Sequence, residues 1–176
     1  MLLRKMNAAC SLLCTVLLLD HAIYIAVCTL SKGSVAVGSN LIPWMLVGAM
    51  ALHAFISIEL AVSAHAGVEK RKCKSYPQLN APTLFQRVSG ILLIVFTALH
   101  VAGTMGVMQP PRMVHAILPP LFFTLSLAHA AVSTSKAFIS LGIGNAKFVK
   151  VADVVIKVIC AVTLIADIIG FYLFLV

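Results

Sequence analysis

Four histidines, His21, His53, His100 and His129, fall one each in four successive apolar stretches of a 176-residue chain. An ionisable side chain within a spanning helix is costly in hydrocarbon and marks a functional site by default. A single such histidine would read as a helix–helix hydrogen-bonder. Four of them, one per helix, suit a different task, the axial ligation of two haem irons inside a helix bundle. Two facing imidazoles occupy both axial positions of an iron and leave no open site, which favours electron transfer over oxygen chemistry.

The elements that must position them are membrane helices. The chain is 61% hydrophobic and 10% charged, with a mean hydropathy of +1.08. Five apolar stretches occupy roughly 8–30, 41–64, 89–109, 113–135 and 151–176, each near the ~20 residues a spanning helix needs. Lipid offers the backbone no hydrogen bonds, so spans are helices or a closed barrel. Strict alternation, the mark of a barrel strand, is absent. The expected fold is all-α and integral to the membrane, a single domain over 1–176 with an up-down four-helix haem-binding bundle and a fifth helix. Arg4 and Lys5 precede the first stretch as in a signal peptide, but the run is too long and carries Asp20 and His21 near its far end.

Basic residues set the expected orientation. Arg4, Lys5, Lys70, Arg71, Lys72, Lys74, Arg87, Lys136, Lys147 and Lys150 crowd one side, against Lys32 and Arg112 on the other. The crowded side is expected to be cytoplasmic, with the N-terminus inside and the C-terminus outside a cell inner membrane. The net charge of +8 is then a topology signal and implies no nucleic acid. Cys10, Cys14, Cys28, Cys73 and Cys160 have no CxxC or CxxCH spacing, and no disulfide framework, zinc site or covalent haem attachment is readable. The Cys10–Cys14 pair, one helical turn apart, reads as packing. Loop 65–86 is expected to be the longest and most polar, and Gln109-Pro110-Pro111-Arg112 a tight turn. Pro119 and Pro120 should kink the fourth helix or interrupt its hydrogen-bond ladder. Trp44 is placed as an interfacial anchor, and Asp153 and Lys157 have the spacing of an i,i+4 ion pair.

Depth along the helices sorts the histidines. His100 follows Arg87 by 13 residues and His21 follows Asn7 by 14, about 20 and 21 Å from the inner surface. That pair shares one level in the outer half of the bilayer. His129 precedes Lys136 by 7 residues, about 10 Å, and His53 precedes His65 by 12, about 18 Å if the second helix ends there. This match is looser and improves if that helix continues beyond the bilayer. His65, at the interface, is the rival of His53 as a ligand. His115 lies too far outward to join His129 and is a candidate contact for a propionate or quinone. Asp20, Glu59 and Asp167 are candidate proton-path groups or structural acids.

The stretch LFQRVSGILLIVFTALHVAG, from Leu84 to Gly103, resembles the membrane cytochrome b subunit of succinate:quinone oxidoreductases and quinol:fumarate reductases, in which QRV(S/T)G precedes a haem-ligating histidine. RKMN with His21, LHAFISIELAVSA with His53, and SLAHAAVSTSKAFISLGI with His129 are similar to its other ligand helices, so the resemblance covers most of the chain. It implies the di-haem type, with His21–His100 on a distal haem b and His53–His129 on a proximal one, and prefers His53 over His65. It makes Arg87, Ser89 and Arg112 candidates for haem propionate or quinone contacts. It also implies partners on separate chains, an iron–sulfur subunit and an FAD flavoprotein, with menaquinone-type quinone as the chain's own redox substrate. Dicarboxylate chemistry would belong to those partners. The alternatives from the residues alone are a histidine-based proton or metal transporter and a haem-free structural anchor.

Overall fold

The computed structural model describes residues 2–31, 41–71, 81–107 and 112–175, with the side chains of 64–71, 112–116 and 174–175 outside the description. The described residues form five helices: α1 (Leu2–Leu30), α2 (Leu41–Arg71), α3 (Ala81–Thr104), α4 (Arg112–Leu141) and α5 (Ala146–Leu175). Each contains a segment long and apolar enough to cross a membrane, and no strand occurs among the described residues. The protein is an all-α integral membrane protein.

Most helices outrun the apolar stretches that announce them. α1 begins at Leu2 instead of 8, α2 continues to Arg71, and α4 reaches Leu141 instead of 135. The expected long loop 65–86 contracts accordingly, because both its ends are helical. Hydropathy records where lipid lies, whereas a helix stops only where its terminal carbonyls find other partners. Those stops are built locally. Gly142, at φ 73°, ends α4 with Gly142 N–H donating to Ile139 O and Ile143 N–H to Phe138 O. Gly106, at φ 71°, ends α3 in the same way, five residues before the apolar stretch does. Both are left-handed glycine caps that reclaim the last carbonyls. Asn145 then opens α5, its Oδ1 accepting the Phe148 amide at 2.9 Å. α4 runs through Pro119 and Pro120 without a break, and the Thr124 hydroxyl donates to Pro120 O at 2.7 Å.

The helices do not pack as a symmetric bundle. α1 and α4 lie against each other and α5 lies against both. α2 is held mainly by α1, α3 mainly by α4, and α2 barely meets α3. Among the described residues no Cα of α1 approaches one of α3 within 8 Å, nor one of α2 one of α4. α1/α3 and α2/α4 are therefore the diagonals of the four-helix arrangement. The tight seam is made by small side chains: Ala8, Ser11, Thr15, Ala22 and Ala26 are buried on α1, and Ala130, Ser133, Thr134 and Ala137 on α4. Small residues let membrane helices approach closely, the main route to stability where lipid competes for every apolar surface. The Thr15 and Thr134 hydroxyls meet across this seam at 3.2 Å. Large apolar side chains such as Val16, Phe55, Ile91, Ile139 and Val162 point outward and exposed. This inverts the soluble pattern and is the surface lipid would cover.

Candidate functional site: paired histidines on open diagonals

α3 and α4 run antiparallel, and three contacts fix their register. At the basic end, Lys136 Nζ donates to Gln86 Oε1 at 2.8 Å and to Thr83 Oγ1 at 3.3 Å. Two turns further along α4, His129 Nδ1 lies 2.7 Å from Ser89 Oγ. Further still, Phe122 packs beside His100, ring centroids 5.2 Å apart. His129 is thus level with Ser89, and His100 stands 11 residues beyond Ser89 on α3, about 16 Å along the axis.

The other two helices repeat the two levels. Ser57 on α2 donates to Asn7 Oδ1 on α1 at 2.9 Å, and the His53 imidazole, one turn away, lies near the Asn7 backbone. His21 is 14 residues further along α1, about 21 Å. The four histidines therefore occupy an inner level, His53 and His129, and an outer level, His21 and His100. At each level the two imidazoles are close enough for charge on one to act on the other, His21 with His100 and His129 with His53. These are the diagonal pairs, on helices whose backbones do not meet. α2 continues six residues past His65 to Arg71, so the helix does not end at His65.

All four imidazoles are only half-buried. The His129 tautomer can be deduced. Ser89 Oγ lies 2.6 Å from Phe85 O, a contact that requires the hydroxyl proton. The contact with His129 must then use an Oγ lone pair, so Nδ1 carries the hydrogen and Nε2 is left with its lone pair free. A ligating histidine needs that tautomer, and a second group fixing it is the usual arrangement. His53 Nδ1 is buried with no hydrogen-bond partner. Gly90 lies beside the same site, where an added Cβ would sit 3.5 Å from His129 Cε1.

The remaining candidates are distributed differently. Ser89 is 2% exposed and engaged with His129 and Phe85. Arg87 is exposed and, two residues from Ser89, lies roughly 200° round α3 from it. The side chains of Arg112, His65 and His115 lie outside the described residues, as do Cys73, Lys32, Pro110 and Pro111. Cys10, Cys14, Cys28 and Cys160 are free thiols. Asp20 is exposed beside His21. Glu59 is exposed and accepts a hydrogen bond from Ser63 at 3.2 Å. Asp167 is 1% exposed with neither carboxylate oxygen partnered, on α5, which touches only α1 and α4. It therefore lies outside the histidine space. Among the described residues no three His, Cys, Asp or Glu side chains gather as a metal cluster.

Sequence reasoning named Ser89 as a propionate or quinone contact but missed its contact with His129 and the Lys136–Gln86 link. Ser89, Lys136 and Gln86 are not chemically distinctive. The available signal was periodicity: Gln86, Ser89, Leu93 and His100 share one stripe of α3, and Phe122, Ser126, His129, Ser133 and Lys136 one stripe of α4. Compared with family profiles, curated proteins and solved structures, the chain matches none.

Proposed function

We propose that this chain is a membrane cytochrome b that holds two haems b, through His21–His100 and His53–His129. It would act as the membrane anchor of a succinate dehydrogenase or fumarate reductase-type complex. The observation that carries the reading is the pairing: four histidines from four helices fall as two diagonal pairs at two levels, on helices whose Cα atoms come no closer than 8 Å among the described residues. Orphaned His53 Nδ1 and the fixed tautomer of His129 fit a metal-ligating role. Haem with two imidazole ligands supplies one-electron transfer. The chain's own residues bind and orient. Ser89 holds the His129 ring through Nδ1, and the hydroxyl is itself locked by Phe85 O. Phe122 limits rotation of the His100 ring. Electrons would pass between an iron–sulfur subunit at the basic, cytoplasmic end and membrane quinone, menaquinone being favoured. The FAD flavoprotein partner would carry the dicarboxylate chemistry.

The test is a reduced-minus-oxidised spectrum of the purified chain. Two low-spin haems b per polypeptide are expected. His100→Ala and His129→Ala should each remove one, and the double variant both. A haem-free preparation, or single variants that keep both haems, would overturn the assignment.

A further inference from the structure

A cleft of about 660 Å³ opens between the C-terminal half of α4 and the start of α5, on the side of the fold away from the α1–α2 contact. Three lysines line it, Lys136, Lys150 and Lys157, and one acid, Asp153. Asp153 is bound to Lys157 at 2.6 Å, so it compensates that lysine alone. Lys136 is hydrogen-bonded only to the neutral groups of Gln86 and Thr83 and keeps its charge uncompensated. Lys150 is exposed. Apart from Ser135 and Asn145 the rest of the wall is apolar, including Val132, Ile139 and Val149. The first turn of α5, whose amides favour anions, borders the same opening.

We propose that this cleft binds one anionic diacyl phospholipid from the surrounding leaflet. The phosphate sits at Lys150 and the start of α5, and an acyl chain lies along Val132 and Ile139. The occupant follows from the two halves of the cleft. The excess of two positive charges selects an anion over a zwitterion, and the apolar wall needs a hydrocarbon that free phosphate lacks. A basic pocket between spanning helices at the basic end of a membrane protein is where acidic headgroups are held. Lys157, deep in α5, fits the same picture by reaching back toward the headgroup level. The proposal requires membrane insertion only and does not depend on haem.

Native mass spectrometry of the full chain released from nanodiscs tests it, with phosphatidylglycerol or phosphatidylcholine as the lipid. The wild type should retain one phosphatidylglycerol and no phosphatidylcholine. Lys150→Ala should weaken retention by roughly fivefold, the worth of one lysine at an anionic lipid surface, and Lys150→Arg should restore it. Lys147→Ala is the local control, since Lys147 is exposed on the same turn but does not line the cleft. It should leave retention unchanged. Equal retention of both lipids, equal loss in the Lys147 and Lys150 variants, or displacement of the lipid by millimolar inorganic phosphate would each overturn the proposal.

Discussion

Ser89→Ala is the sharpest test of the inner histidine pair. The hydroxyl accepts the His129 Nδ1 hydrogen at 2.7 Å while donating to Phe85 O at 2.6 Å. Accepting that hydrogen makes the imidazole a more basic ligand and favours the oxidised iron. If the chain holds the proposed haems, removing it should therefore raise the potential of the haem on His129. A neutral hydrogen bond contributes about 0.5–1.5 kcal/mol net, and a one-electron couple moves about 59 mV for each tenfold change in equilibrium constant. The upward shift should be about 20–65 mV. It should be confined to one haem, because His100 stands 11 residues further along α3, about 16 Å away. Haem affinity at the inner site should fall about tenfold or more. Ser89→Thr retains the hydroxyl and should behave as wild type. The assay is a potentiometric titration of the purified chain followed in the haem absorbance. No shift, a downward shift, or an equal shift of both haems would refute the account of the His129 tautomer.

Three further substitutions test the packing. Gly170→Ala should destabilise by about 1–3 kcal/mol through overpacking, because its Cβ would overlap the Thr29 side chain. Adding Thr29→Ala should recover most of the loss in thermal unfolding. Thr134→Val removes one of two facing hydroxyls in the α1–α4 seam and should cost about 0.6 kcal/mol, the average for such bonds in membranes; reversible unfolding in mixed micelles measures it. Asp167→Ala should raise stability by about 1–3 kcal/mol, since it removes a buried carboxylate with no partner. A fall in melting temperature would contradict that reading.

The sequence made the five helices legible and put His21 and His100 at one depth, though it matched His53 to His129 only loosely, because hydropathy and a rise of 1.5 Å per residue both report position along one axis. The Asp153–Lys157 pair was legible for a related reason: i,i+4 spacing places the two groups together within a single helix. What lay across the axis was not legible. Apolar residues surround every helix, so no amphipathic face told α1 that its neighbours would be α2, α4 and α5 and not α3. Helix ends were blurred at Glu69–Arg71 and at Lys136–Leu141, where polar residues continue a helix that hydropathy alone would have stopped. The role of Ser89 was invisible because a serine in a membrane helix commonly bonds its own preceding turn. It does so here as well, and only the register of α4 brings His129 to its other side.

The asymmetry of the bundle bears on what the histidine space is for. α1, α4 and α5 close on one another through alanine, serine and threonine, which supplies the stability a membrane protein draws from close approach. α2 packs on α1 and α3 on α4, but the two scarcely meet each other, and between them they carry half of the paired histidines. Of the buried polar atoms without partners among the described residues, those off α5 lie within one helical turn of a paired histidine or on its ring: His53 Nδ1 on α2, Thr97 Oγ1 three residues from His100, and Ser126 Oγ and Ser133 Oγ flanking His129 on α4, Ser133 also bordering the α1–α4 seam. A buried polar group without a partner costs about 1–3 kcal/mol. A sequence under no demand beyond folding would replace these side chains with leucine or valine and draw α2 onto α3. On the proposed di-haem reading these polar groups would face the two porphyrins, and the separation of α2 from α3 would be the room the porphyrins need.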